Sequence, residues 1–198
     1  VAISIIVAEK VARSDYRGAN RVFRISLFVL AITGVLFTFL LYYGAGWLID
    51  NHFVRDARAY YSIIALAPAV FFVTLLASFR GYLQGWQEMT PTAVSEIVEQ
   101  SFRVVTMIWF ASLFMPYGLS YAAAGASMGA GVGAVAALCV LIFFYRRIRK
   151  KFQQKMLDDD AGLAPESTKT VLSRLLRLAF PVALSSLMLP VVANFDLL

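Results

Sequence analysis

Cysteine and histidine are nearly absent from this chain. One cysteine, Cys139, leaves no partner for an intrachain disulfide, and one histidine, His52, rules out a histidine-rich metal site. Charge is scarce as well. Charged residues make up 15% of the 198 and hydrophobic ones 60%, with a mean hydropathy of +0.72. Soluble domains carry about 25% charged and about 45–50% apolar residues. A soluble domain is therefore excluded, and so is intrinsic disorder, which requires low hydrophobicity. The net charge of +6 points to basic cytoplasmic loops rather than to a nucleic-acid partner. No metal or bound cofactor is expected.

What the chain has in abundance is uncharged length. Ile25 to Ile49, Ala59 to Phe79 and Val104 to Tyr145 contain no Asp, Glu, Lys or Arg. A spanning helix needs roughly 20 apolar residues. The third run is too long for one span, and Pro116 with Gly118 in MPYGLS divides it. The expectation is an all-α, polytopic transmembrane helix bundle with five complete or nearly complete spans, at about 24–49, 59–85, 91–114, 118–145 and 172–198. VAISIIVAE at the start reads as the tail of an earlier helix, and FDLL at the end as a helix cut short.

Loop charge sets the orientation. Lys10, Arg13, Arg17, Arg21 and Arg24 in the first loop, and RRIRKKFQQK with Arg174 and Arg177 in the last, mark 10–24 and 146–173 as cytoplasmic. Alternation then makes 50–58 and 115–120 external and 85–90 cytoplasmic. Residues 150–171 read as a basic, then acidic and polar, linker between helix groups. The linker separates residues 1–149 from a last helix over 172–198. Its first third also suits an amphipathic helix on an anionic membrane surface. Gly125, Gly129 and Gly133, spaced by four, favour close helix packing in lipid. Pro68, Pro181 and Pro190 within spans favour kinks.

The charges that break the pattern lie in FRGYLQGWQEMTPTAVSEIVEQSFRV, residues 79–104. Thr90 and Pro91 read as the cap and first residue of a helix. At 100° per residue Thr92, Glu96, Glu99, Arg103 and Thr106 share one stripe, opposite Val94, Ile97, Val98, Val105 and Ile108. With a rise of ~1.5 Å per residue, Glu99 lies ~12 Å and Arg103 ~18 Å beyond Pro91. That is the middle of a hydrocarbon layer roughly 30 Å thick. Each such charge costs about 2.5–3.5 kcal/mol facing lipid, so the three together would cost roughly 8–10 kcal/mol. That approaches a domain's whole stability. The stripe must face other helices or water. Glu99 and Arg103 can pair at a spacing of four, which leaves Glu96 without a partner unless Arg80 supplies one; Arg80 and Gln84 share a face of the preceding helix that can meet the stripe. Two readings stay open: a hydrated, substrate-facing cavity, or an ion-pair network that only fixes packing. Asp196, beyond Pro190, is a candidate for a coupling Na⁺ or H⁺.

These 26 residues, with VAISIIVAEKVARSDYRGANRVFR before them and RLLRLAFPVALSSLMLPVVANFDLL after, closely resemble the stage V sporulation protein B-like branch of polysaccharide-biosynthesis membrane proteins. That branch lies in the multidrug/oligosaccharidyl-lipid/polysaccharide exporter superfamily and is related to the MurJ-type lipid II flippases. The resemblance implies a MATE- or MurJ-like protein of about twelve to fourteen helices. Two lobes would surround a central cavity and alternate between inward-open and outward-open states. The chain would then run from the end of helix two to helix seven. Residues 1–149 would belong to the N-terminal lobe, and 172–198 would open the C-terminal one.

The implied cargo is an undecaprenyl-pyrophosphate-linked saccharide in a bacterial cytoplasmic membrane, without enzyme chemistry and with membrane lipids as the other partners. Arg80 and Arg103 would meet the pyrophosphate, since guanidinium is a bidentate partner for it. Glu96 and Glu99 would hold Arg103 or accept a coupling cation. Alternatives are a Na⁺- or H⁺-coupled drug exporter of the same superfamily and a non-transporting scaffold in cell-wall or spore assembly. A membrane enzyme would rest on His52 and Asp56 alone.

Overall fold

The computed structural model describes residues 2–50, 59–157, 170–181 and 184. The elements are α1 (Ala2–Ala12), α2 (Tyr16–Asp50), α3 (Ala59–Gly85), α4 (Thr90–Phe114), a 3₁₀ turn (Met115–Tyr117) and α5 (Leu119–Leu157), followed by helical residues 170–181, here α6. No strand occurs among the described residues. Four helices are long and apolar enough to cross a membrane: Tyr16–Trp47, Tyr60–Gly85, Thr90–Tyr117 and Leu119–Ile148. The expected fifth span lies largely outside the described residues, as do His52, Asp56, Pro190 and Asp196.

Two helices are longer than the hydropathy suggests. α2 starts at Tyr16, not near 24, because Asp15 caps it: Oδ1 accepts the Gly18 N–H at 2.8 Å, and Lys10 Nζ donates to Oδ2 at 2.9 Å. The basic residues Arg17, Arg21 and Arg24 therefore lie on the first turns of a helix rather than in a loop. α5 likewise continues through RRIRKKFQQKML to Leu157, so the expected linker from 150 begins as helix. One expected cap is absent. Met89 is the N-cap of α4, with helical φ and ψ and no side-chain cap bond, and Thr90 is already inside the helix.

Glycine governs only some of the breaks. Gly118, with φ +116°, ends the MPYGLS turn in a conformation that L residues rarely adopt. The turns after α1 and α3 use Ser14 (φ +59°) and Gln87 (φ +60°) instead. Each closes a Schellman motif, with Asp15 N–H bonded to Lys10 O at 2.9 Å and Glu88 N–H to Leu83 O at 3.0 Å.

α5 is the centre of the packing, in contact with both α3 and α4, while α3 and α4 touch each other only sparsely. α2 packs on α3, and α1 lies against both. At the basic end Phe23, Tyr82, Trp86 and Tyr145 interlock, with ring centroids 4.3 Å apart for Phe23–Tyr82 and 5.5 Å for Tyr16–Trp86. Glu9 on α1 pairs with Arg174 on α6 at 2.7 Å at the same end. At the other end sit exposed Tyr42, Tyr43, Trp47 and Tyr117, with Tyr61 and Tyr121 stacked at 4.9 Å. Aromatic residues at both ends, with basic residues at one of them, suit the two faces of a membrane-spanning bundle.

The glycine stripe of α5 packs against α4. A Cβ at Gly125 would lie 2.9 Å from Phe110 O, at Gly129 2.9 Å from Met107 N, and at Gly133 2.7 Å from Glu99 O. Small residues here let the two backbones approach closely. Gly133→Val should therefore destabilise the bundle by about 1–3 kcal/mol through overpacking. Gly46→Ala, at a helical position with nothing within 4 Å, should keep the unfolding midpoint or raise it, by up to about 1 kcal/mol of helix propensity; thermal unfolding in detergent compares the two.

Candidate functional site: the Arg80–Glu99–Arg103 cluster

α4 has two unlike sides. Thr92, Ser95, Glu99 and Thr106 are buried, whereas Ile97, Val105, Ile108 and Trp109 are exposed. The apolar side forms the perimeter and the polar stripe turns toward the other helices. This is the orientation that the cost of a charge in hydrocarbon demands.

Glu99 is the hub. Its Oε2 accepts from Arg80 Nη2 at 2.7 Å, across from α3, and its Oε1 accepts from Arg103 Nη2 at 2.6 Å, one turn along α4. Its side chain is 8% exposed. Arg80, 21% exposed, also donates from Nε to Ser95 Oγ at 3.2 Å, and Ser95 in turn donates to Thr92 O at 2.7 Å. Glu96 sits 4.0 Å from Arg80 Nη1 and is 58% exposed. Arg103 is 35% exposed, and its Nε is buried without a hydrogen-bond partner.

Both guanidiniums converge on one carboxylate, so the inner cluster carries an excess of one positive charge, offset partly by Glu96 at the rim. Gly133 backs the site: its missing side chain leaves room for the Glu99 carbonyl and the Arg103 Cβ.

Arg80, Glu96, Glu99 and Arg103 thus come together as the stripe predicts. Gln84, one turn further along α3, is half-buried and takes no part in these bonds. Ser95 was missed by sequence reading. The signal existed, since Ser95 precedes Glu99 by one helical turn and lies at the edge of the same stripe. Arg80 reaches its expected partner Glu96 at 4.0 Å and makes its shorter contact, 2.7 Å, with Glu99.

The whole chain, residues 1–198, matches the family model described as polysaccharide biosynthesis protein. The chain belongs to that family. Among similar proteins of Bacillus subtilis (strain 168), stage V sporulation protein B is 34% identical over 161 residues, covering 79% of this chain and 31% of that protein. Lipid II flippase MurJ is 27% identical over 205 residues, 98% of this chain and 38% of that one. The uncharacterized membrane protein YabM is 29% identical over 189 residues, 93% and 34%. The chain thus spans about a third of the length of these relatives. No solved structure matches it. With four helices of membrane-crossing length and membrane-protein relatives, it is a multi-pass bacterial membrane protein.

Removing one partner of a buried ion pair strands the other. Glu99→Ala leaves two guanidiniums inside the bundle and should cost about 3–5 kcal/mol. The check is the unfolding midpoint of purified protein, which should fall much further than for Glu96→Ala at the exposed rim.

Proposed function

We propose that this chain forms part of a flippase that carries an undecaprenyl-pyrophosphate-linked saccharide across the cytoplasmic membrane by alternating access, making and breaking no covalent bond. The Arg80–Glu99–Arg103 cluster is the part of this chain that receives the diphosphate headgroup. Family membership and the resemblance to a lipid II flippase support the cargo class. One observation carries the assignment of the site. Two guanidiniums, Arg80 from α3 and Arg103 from α4, lie together on the inward side of α4 within helices of membrane-crossing length, and the carboxylate between them is already bonded to both. A diphosphate is a multidentate acceptor for such donors.

The same observation disfavours a cation-coupled drug exporter built on Glu99. A cationic drug needs a carboxylate free of positive partners, and Glu99 has two.

Arg103→Ala in the full-length protein should abolish rescue of a strain depleted of its lipid II flippase while membrane insertion stays normal. Rescue at wild-type level by the Glu99→Ala/Arg103→Ala double variant would overturn the site assignment. Raised resistance to cationic dyes on expression, without rescue, would favour drug export instead.

A further inference from the structure

We propose that Glu99 sets the selectivity of this site as an internal stand-in for the ligand. It occupies Arg103 in the empty protein, Arg80 holds it there, and ligand entry is an exchange at Arg103. The inference rests on the reading of the cluster as a diphosphate site and divides the labour within it.

The two arginines are not equivalent. Arg80 has three partners on α4: Glu99 at 2.7 Å, Ser95 at 3.2 Å and Glu96 at 4.0 Å. It sits on α3 and is the more buried of the two. Releasing it would break the ionic link that crosses the sparse α3–α4 contact. Arg103 has one bond to Glu99, through Nη2. The Nε beside that nitrogen is a buried donor with no partner. A guanidinium binds a phosphate through paired parallel N–H groups. On Arg103 one of these adjacent donors is filled by Glu99 and the other is empty. A carboxylate supplies one oxygen there, whereas a diphosphate supplies several.

Exchange leaves Glu99 with a cation, because Arg80 stays bonded to Oε2 when Oε1 is released. The carboxylate therefore never stands alone in the bundle, which would be prohibitive there. Such a site discriminates by charge density. A weak or singly bonding anion cannot displace an internal carboxylate at 2.6 Å, and a diphosphate can. Arg80 is thus a positioning residue: it touches Glu99 and acts on the ligand only through it.

The experiment measures binding of geranylgeranyl diphosphate to purified full-length protein in detergent micelles, with geranylgeraniol as the control lacking phosphate. Thermal unfolding of each variant verifies its fold. Arg103→Ala should lose binding. Glu99→Gln, the same shape without the charge, removes the competitor and should bind at least tenfold more tightly. Arg80→Ala leaves Glu99 wholly on Arg103 and should bind several-fold more weakly. Arg80→Ala/Glu99→Gln should regain at least wild-type affinity, because Arg80 matters only through Glu99.

A Glu99→Gln protein that binds no more tightly than wild type overturns the exchange. So does a double variant as weak as Arg80→Ala alone, which would make Arg80 a direct contact; both results leave the diphosphate site standing. Unchanged binding in Arg103→Ala, or equal binding of geranylgeraniol, overturns the site itself.

Discussion

The structure depends on one constraint: ionised side chains at the middle of a bilayer must be paired and turned inward. Glu99 meets it by taking two guanidiniums, one from its own helix and one from α3. The rest of α4 is organised around that choice. Its opposite side is mostly apolar, with Ile97, Val105, Ile108 and Trp109 exposed, which favours one rotation of the helix about its axis. Because α3 and α4 meet only sparsely, the Arg80–Glu99 ion pair also links them across the gap.

Packing makes the polar cluster possible. The glycines of α5, about one turn apart, bring its backbone against α4 at Phe110, Met107 and Glu99. Close approach seals the α5 side of the site at Gly133, while Arg103 and Glu96 stay partly exposed. At the basic end, capped turns at Asp15 and Gln87 and the aromatic group around Phe23 and Tyr82 fix α1, α2, α3 and α5 together. The ion pairs there tie α1 to the turn that follows it, through Lys10 and Asp15, and to α6, through Glu9 and Arg174.

Much of this was legible in the sequence because hydropathy and helical period are dictated by the solvent. The uncharged runs gave the spans, MPYGLS gave the break at Gly118, and the stripe gave the inward face of α4. What escaped depended on local hydrogen bonding. α2 begins eight residues before the predicted start because Asp15 caps it, and charge in its first turns disguised helix as loop. The basic first third of the 150–171 linker suits a helix in sequence, and the structure runs it on from the preceding span as the end of α5. Thr90 carried the signature of a cap, yet helical geometry already begins at Met89. Arg80 and Glu99 lie 19 residues apart on different helices, so periodicity alone could not pair them, and Ser95, an uncharged residue at the edge of the stripe, gave too weak a signal.

The account stands on the polar side of α4 looking onto a hydrated interior. Single cysteines at 96, 103, 97 and 108, placed in a Cys139→Ser background in native membranes, test this by their reaction with a charged, membrane-impermeant thiol reagent added from either side. The account predicts labelling at 96 and 103 and none at 97 and 108. Labelling at 97 and 108 with 96 and 103 silent would contradict it.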